Sequence, residues 1–542
     1  MEDHLATIWE AIADELGDAA ALEHGPVRRS WREFDDRAAR LAGALLDAGV
    51  RQGDTVAIDL YNCNEYLEVF FAALKIRAVP ANVNYRYADA ELEALLTQSD
   101  ARVLVYHQTL AERVAAAAPS VRGLRAVVRV DDEGGVPPAA GHHDLEDLIA
   151  GHEPAARIHR PENDVYLSYT GGTTGLPKGV EYLIGASVRN TQVLGRMMLG
   201  LEDVDWDGPA LDRALTLAAQ GRRPVAIPAS PLMHSTGLIM ASLPVLTAGG
   251  TVVTLTSQSF DAHELFATAA RTRARTVSIV GDAMARPMVA ALEAKASTGD
   301  PSDTSDLVTI SSAGVAWSGP VKRALLEHIP RVTLVDACGS TEGVTIGMMP
   351  VWRGDDTSTD RFLPGPGLRI MRDDGTEIPR QTDEIGRFIG PTVARGYRGD
   401  PERTAATFRQ EGGETFAIPG DYGRWNRDGT ITLIGRGSSI INTGGEKVFA
   451  EEVQEVIAEI KGVEDCAVVG VPDERFGSAV AAVVQPAPSA VVDAEDVASA
   501  VRGKLAGYKV PRTVLFAPVP RGPNGKLLYP EIRALFSRTC VS

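Results

Sequence analysis

Residues 169–180, from Tyr169 to Val180, read Tyr-Thr-Gly-Gly-Thr-Thr-Gly-Leu-Pro-Lys-Gly-Val. They follow DVYLSY, an apolar run with the composition of a strand. Gly171, Gly172 and Gly175 permit backbone conformations that a Cβ resists. Consecutive N–H groups and the hydroxyls of Thr170, Thr173 and Thr174 can then wrap phosphate oxygens, and Lys178 adds a positive charge. The GxxxxGK[ST] spacing of the common mononucleotide loop is absent. A glycine-rich surface turn is the plainer alternative for a short Gly/Thr run, but it does not account for the whole string.

On the N-terminal side, residues 32–50 carry apolar positions at helical spacing up to Gly49. DTVAIDL (54–60) reads as a strand and EYLEVFFAALKIRAV as a helix. ARVLVYH (101–107) and LRAVVRV (124–130) read as further strands. The segment 131–144 is a Gly/Pro-rich loop in which His142 and His143, lacking Cys or carboxylate partners, are expected to be solvated. On the C-terminal side, VAIPA, TVVTL, TVSIVG, LVTISSAG and RVTLVDACG are separated by helical stretches between 225 and 340. Strands alternating with helices predict βαβ units and a largely parallel sheet, an α/β fold. Residues 350–435 change to short alternating strands, with RDDG and RDG placed as hairpin turns. After Arg436 a helix, two strands, a helix and a strand form a separate α+β pattern of about a hundred residues.

The chain has 542 residues, 44% hydrophobic and 23% charged, an ordinary globular balance. Its formal net charge of −18 opposes binding to duplex DNA or an anionic membrane. Cys63, Cys338, Cys466 and Cys540 are far apart and fit no zinc or disulfide spacing, which agrees with a reducing cytoplasm. The N-terminus is acidic and amphipathic, unlike a secretory signal. The uncharged stretch 235–260 is interrupted by Pro244, Gly249 and Gly250, so it reads as a buried helix, a turn and a strand rather than a membrane span.

The string at 169–180 resembles the phosphate-binding loop of the acyl-CoA synthetase, luciferase and peptide-synthetase adenylation superfamily, and further matches follow in family order over essentially the whole chain. The resemblance implies a large N-terminal domain of parallel-rich sheets flanked by helices (1–437, with a β-rich subdomain at about 350–435) and a small mobile C-terminal domain (438–542). Within it, His234 in PLMHSTG matches the residue that gates the acyl pocket, and Gly314 in SSAGVAW matches the turn beside adenine. In Asp336, Ala337, Cys338, Gly339, Ser340, Thr341 and Glu342, the family pattern gives Thr341 a contact with the α-phosphate and Glu342 a share in holding Mg²⁺, with Thr174. Cys338 departs from the Tyr or Phe that stacks on adenine in many relatives. Asp421 and Arg436 match the ribose-binding pair, Ser438 the hinge where Asp or Lys is commoner, Gly444 and Gly445 the pantetheine-facing loop, and Lys526 the catalytic lysine.

The resemblance implies ATP, Mg²⁺ and CoA, with a small-molecule carboxylate as substrate: adenylation to an acyl-AMP, then transfer to the CoA thiol. Adenylating enzymes with other acceptors share this pattern, including those that load a carrier protein and those that activate nitrite for diazotisation. The TGG of the loop, GDAMARP (281–287), INTGGEKV (441–448) and GYKVPR (507–512) look most like actinobacterial acyl-CoA synthetases, some of which act on steroid side chains. The identity of the acid and the oligomeric state are not written in these motifs.

Overall fold

The computed structural model describes residues 4–132, 139–172, 175–299, 302–315, 317–357, 361–380, 382–436, 440–443, 446–473, 477–505, 507–522, 525 and 527–539. The chain divides into two compact units, one of residues 1–359 with 391–417, the other of 360–390 with 418–542.

The first unit holds two sheets. In one, the strands Ala20–His24, Thr251–Thr254, Val225–Pro228, Thr276–Ile279, Thr309–Ala313 and Thr333–Gly339 lie side by side in parallel. Thr345–Val351 then closes this row antiparallel to Thr333–Gly339. Thr251–Thr254 and Thr276–Ile279 are buried at every position, as parallel strands covered on both faces must be. The helices Ala262–Thr272, Gly281–Ser297 and Gly319–His328 supply much of that cover. Phe266, Met288, Leu292 and Leu325 join Ile310, Leu334 and Trp317 in one apolar core. Met288 and Trp317 are thus core residues.

The second sheet of this unit runs Ala394–Tyr397, Gly175–Leu183, Val165–Gly172, Val79–Asn82, Thr55–Asp59, Ala101–His107, Ala126–Val130. The alternating elements anticipated at 32–130 are all present. The helix Trp31–Asp47 begins in a capping box: the Glu33 N–H donates to Ser30 Oγ at 3.2 Å and the Ser30 N–H donates to Glu33 Oε2 at 2.7 Å. It buries Phe34, Ala38, Leu41, Ala42 and Leu45, a stripe at three- and four-residue intervals. His142 is not simply solvated: its Nδ1 lies 2.7 Å from the Tyr106 hydroxyl and its ring packs edge-on to Tyr106. Residues 201–224 form the helix Ala210–Ala219, with Trp206 buried beneath the Arg213 guanidinium, 4.7 Å from its ring.

The uncharged stretch around 235–247 is helical in two pitches. Thr236–Ser242 is a wide π-type turn and Leu243–Thr247 an α-helix. Pro244 has no N–H to give a preceding carbonyl, and the Ser242 hydroxyl donates to Gly237 O at 2.8 Å, which favours the wider coil. Among the described residues no helix is long and apolar enough to cross a membrane.

In the second unit, Asp421–Trp425 and Ile431–Arg436 form a hairpin around the RDG turn, and Gly429 sits there at φ +85°. The RDDG turn likewise closes back at Met371 and Glu377. Farther on, Val463–Asp473 and Gly477–Pro486 pair antiparallel over their length. Alternate residues face opposite sides. Cys466, Val468, Val480, Ala482 and Val484 pack with the helices Ala450–Ala458 and Ala494–Lys504. Ala467, Val469, Ala481 and Val483 pack with Ile532 and Phe536 of the helix Tyr529–Thr539.

Candidate active site

Val165–Gly172 pairs with Gly175–Leu183, placing Tyr169 opposite Gly179, Thr170 opposite Lys178 and Gly172 opposite Gly175. A Cβ on Gly179 would stand 2.5 Å from Cζ of Tyr169, so only glycine lets the tyrosine lie across the hairpin. Thr173 and Thr174 lie outside the described residues.

Strand alternation puts Lys178, Val180 and Tyr182 on one face. That face meets the loop after the strand Thr333–Gly339. The Tyr182 hydroxyl donates to Thr341 O at 2.5 Å. Val180 pairs with Tyr397. The Tyr397 hydroxyl donates to Glu342 Oε1 at 2.7 Å, while Lys178 Nζ stands 5.9 Å from the Tyr397 ring centroid. The Thr392 hydroxyl donates to the Glu342 carbonyl. Lys178, Thr341 and Glu342, distant in sequence, are thus brought together around two tyrosines. Burial first, and then the Glu342 charge, hold the Tyr397 phenol well above its ordinary pKa, so it remains a donor.

Gly314 and Cys338 sit at the carboxyl ends of neighbouring parallel strands, where Ala313 pairs with Ala337. Gly314 is at φ +90° with no atom within 4 Å of a would-be Cβ, so the space beside it is open. Cys338 is half-buried and in no disulfide, and Gly339 is exposed. The Asp336 side chain points into the protein and accepts from Lys322 Nζ at 2.6 Å. Lys322 is fully buried and lies 5.7 Å from the Trp317 ring centroid. Burial pushes the Asp336 carboxyl up, Lys322 opposes that, and the Asp282 charge adds to it. Ser340 Oγ is buried and has no hydrogen-bond partner among the described residues.

His234 is held in a tight turn. Its N–H donates to Pro231 O at 3.0 Å, and its carbonyl accepts from the N–H groups of Gly237 and Leu238. A Cβ on Gly237 would be 2.3 Å from Pro231 O. His234 and Ser235 edge a narrow cleft lined by Tyr66, Phe70, Tyr166, Leu167, Leu232, Met233, Leu238 and Ile239, with Asn82 and Ser168 as further polar members.

In the second unit, Asp421 and Arg436 are direct partners across the hairpin, and Asp421 is buried. Ser438, Gly444, Gly445 and Lys526 lie outside the described residues. The chain just before Lys526 is anchored: Arg521 grips Asp465 through two bonds of 2.6 and 2.8 Å and donates to Gly525 O at 2.6 Å.

Residues 9–398 match the AMP-binding enzyme family, and residues 452–526 match the AMP-binding enzyme C-terminal domain. The chain belongs to the AMP-binding enzyme family. As such it is an adenylate-forming ligase. It is 35% identical over 542 residues to the medium-chain acyl-CoA ligase Mig of Mycobacterium avium, covering 96% of each chain. It is 34% identical to the 3-oxocholest-4-en-26-oate–CoA ligase of Rhodococcus rhodochrous, covering 96% of this chain and 94% of that one. The ATP-bound crystal structure of MatB from Rhodopseudomonas palustris superposes with a TM-score of 0.79 at 26% identity, covering 98% of this chain and 99% of that one.

Two residues of this AMP-binding enzyme escape sequence reading. Asn82 is buried at the end of a parallel strand; its side chain bonds both the N–H and the carbonyl of Tyr169, at 2.6 and 3.1 Å, and donates to Met233 O at 2.6 Å. It ties the strand leading into the glycine-rich hairpin to the segment carrying His234. Asn62 donates to Pro228 O and Ser230 O and accepts from the Leu232 N–H, fixing the other end of that segment. For Asn82 the one signal is a polar residue closing an otherwise apolar strand, which marks a buried hydrogen-bonding demand without naming its partners.

Proposed function

We propose that the chain is an ATP-dependent acyl-CoA ligase, forming an acyl-AMP and pyrophosphate and then passing the acyl group to the thiol of CoA. The observation that carries this reading is the gathering of Lys178, Thr341 and Glu342 around Tyr182 and Tyr397. A cation, a hydroxyl-bearing residue and an anchored carboxylate beside a glycine-rich hairpin suit a triphosphate and its counter-ion. The full-length relatives named as acyl-CoA ligases support the choice of acceptor.

A carboxylate resists nucleophiles because oxide would have to leave. Attack of its oxygen on the α-phosphorus forms a P–O bond and expels pyrophosphate. The thiol sulfur then attacks the acyl carbon, its proton is lost to water, and the C–O bond to AMP breaks. In this scheme Thr170–Gly175 and Lys178 bind the phosphates, and Thr341 contacts the α-phosphate. Gly314 and Ala337–Gly339 border adenine, and Asp421 and Arg436 hold the ribose. Lys526 bridges the attacking oxygen and the phosphate, where fixed donors lower the barrier most. Ser438 is the hinge between 1–437 and 438–542, about which Gly444 and Gly445 approach with the pantetheine arm.

Mg²⁺ fits Glu342. One carboxylate oxygen is held by Tyr397 and the other has no hydrogen bond among the described residues, a hard donor for a hard cation. When bound, Mg²⁺ offsets charge on the phosphate oxygens. The cleft beside His234 has aromatic and aliphatic walls, which favours an apolar acid.

The test is product analysis with ATP, Mg²⁺ and medium-chain fatty, steroid-side-chain and aromatic acids plus nitrite, each with and without CoA. A CoA thioester of a fatty or steroid acid is expected. AMP and pyrophosphate formed equally without CoA would overturn the acceptor. Lys526→Ala should lower acyl-adenylate formation by about 100-fold or more with ATP still bound; unchanged adenylation would remove Lys526 from the scheme.

A further inference from the structure

Tyr397 lies outside every motif read for chemistry, yet it touches two of the residues those motifs supply. Its hydroxyl donates to Glu342 Oε1 at 2.7 Å, and its ring faces Lys178 Nζ at 5.9 Å from the centroid. The side chain is 8% exposed, and Phe408 packs edge-on to the ring at 5.3 Å. Its N–H donates to Thr404 Oγ1 at 2.9 Å. On the opposite face of the strand pair, Glu181 accepts from both Arg395 and Arg398, the residues flanking Gly396 and Tyr397, at 2.7 and 3.0 Å. The ring therefore has little freedom, and its position is fixed to the phosphate hairpin through the Val180–Tyr397 pairing.

We propose that Tyr397 is a positioning residue that holds the Glu342 carboxylate for a divalent cation and keeps it apart from the Lys178 ammonium. This rests on the reading of Glu342 as a metal-holding carboxylate. A carboxylate and an ammonium that close in a small site neutralise each other, and neither is then available to a cation or a phosphate. The phenol ring takes the cation on its face and gives a hydrogen bond to the anion at its edge. Glu342 then presents its second oxygen without a search of rotamers. Partners that orient a metal-binding side chain alter metal affinity by about 10–100-fold when removed.

The experiment is Mn²⁺ binding by electron paramagnetic resonance to the full chain, with the non-cleavable α,β-methylene analogue of ATP present. Wild type, Tyr397→Phe and Glu342→Gln are compared. Binding of the same analogue in EDTA is measured by calorimetry. Tyr397→Phe is expected to weaken Mn²⁺ binding about tenfold, while metal-free analogue binding stays within about twofold. A merely structural role would move both. If Tyr397→Phe binds Mn²⁺ like wild type while Glu342→Gln is impaired, the role of Tyr397 is overturned and that of Glu342 stands. If Glu342→Gln also binds like wild type, the metal reading of Glu342 fails and the inference falls with it.

Discussion

Lys322 and Asp336 show how a motif residue can serve the fold rather than the ligand. Asp336 begins the stretch that ends in Thr341 and Glu342, but its carboxylate turns inward to a lysine with no exposed surface. Lys322→Met would leave that carboxylate buried without its cation, which costs about 3–5 kcal/mol in comparable cases. The thermal midpoint should fall sharply, and Asp336→Asn added to Lys322→Met should recover most of the loss. A single variant as stable as wild type would show that the pair contributes nothing. The sequence placed Asp336 next to the nucleotide because neighbouring residues match a motif. It gave no sign of Lys322, because the pairing depends on how a helix packs under a strand. Glu342 and Tyr397 are a similar case: 55 residues separate them, and only the meeting of the turn after Thr333–Gly339 with the strand Ala394–Tyr397 makes them partners.

Elements were more legible than contacts. The parallel strands between 225 and 340 each announce themselves as short runs rich in apolar and β-branched residues bounded by turns, because burial on both faces favours them, although Ser278, Ser311, Ser312 and Asp336 are buried among them. The partner of the glycine-rich hairpin was not legible. Ala394–Tyr397 falls in a stretch of short alternating strands, and nothing local says it pairs with Gly175–Leu183. Glu181 is the clamp for that pairing. Burial alone would raise its carboxyl pKa, but the hydrogen bonds from Arg395 and Arg398 more than offset this and hold it below the usual value of 4.5. A depressed carboxylate stabilises the fold above its unfolded pKa, and the contribution is lost as pH falls through the folded one. Glu181→Gln should therefore cost about 1.5–3 kcal/mol at neutral pH. The gap to wild type should narrow steadily below about pH 4.5. Hydrogen exchange of the amides in 176–183 and 394–398 should rise in the variant. Unchanged protection there would mean that the backbone ladder holds the strand without Glu181.

At the scale of the whole molecule, one acid-sensitive contribution to stability sits at the N-terminal helix Leu5–Glu15, whose amphipathic pattern was visible but whose buried charges were not. His4 caps it: the Ala6 N–H donates to His4 Nδ1 at 3.1 Å, a bond that requires an unprotonated nitrogen. Burial first, then the charges of Arg160 and Arg77, lower the His4 pKa from 6.5 to about 3. Among the described residues the carboxylate paired with it is Asp164, 3.7 Å from Nε2 and already held by Arg77. One turn on, Glu10 binds Lys75 at 2.8 Å and Arg160 at 2.9 Å, and these cations keep it below 4.5 despite its burial. Both shifts act in the same direction on acidification. Below pH 6.5 the unfolded chain binds a proton at His4 that the folded chain refuses, at about 1.4 kcal/mol per pH unit. Below 4.5 Glu10 adds its own loss. His4→Asn keeps a capping oxygen and removes the titration. It should leave stability near neutral pH little changed and add about 3 kcal/mol at pH 4 relative to wild type. Thermal midpoints measured from pH 7 to pH 4 should fall more gently in the variant. Parallel curves would place the acid sensitivity elsewhere, in the carboxylates around Arg157 and Arg160 rather than in the cap.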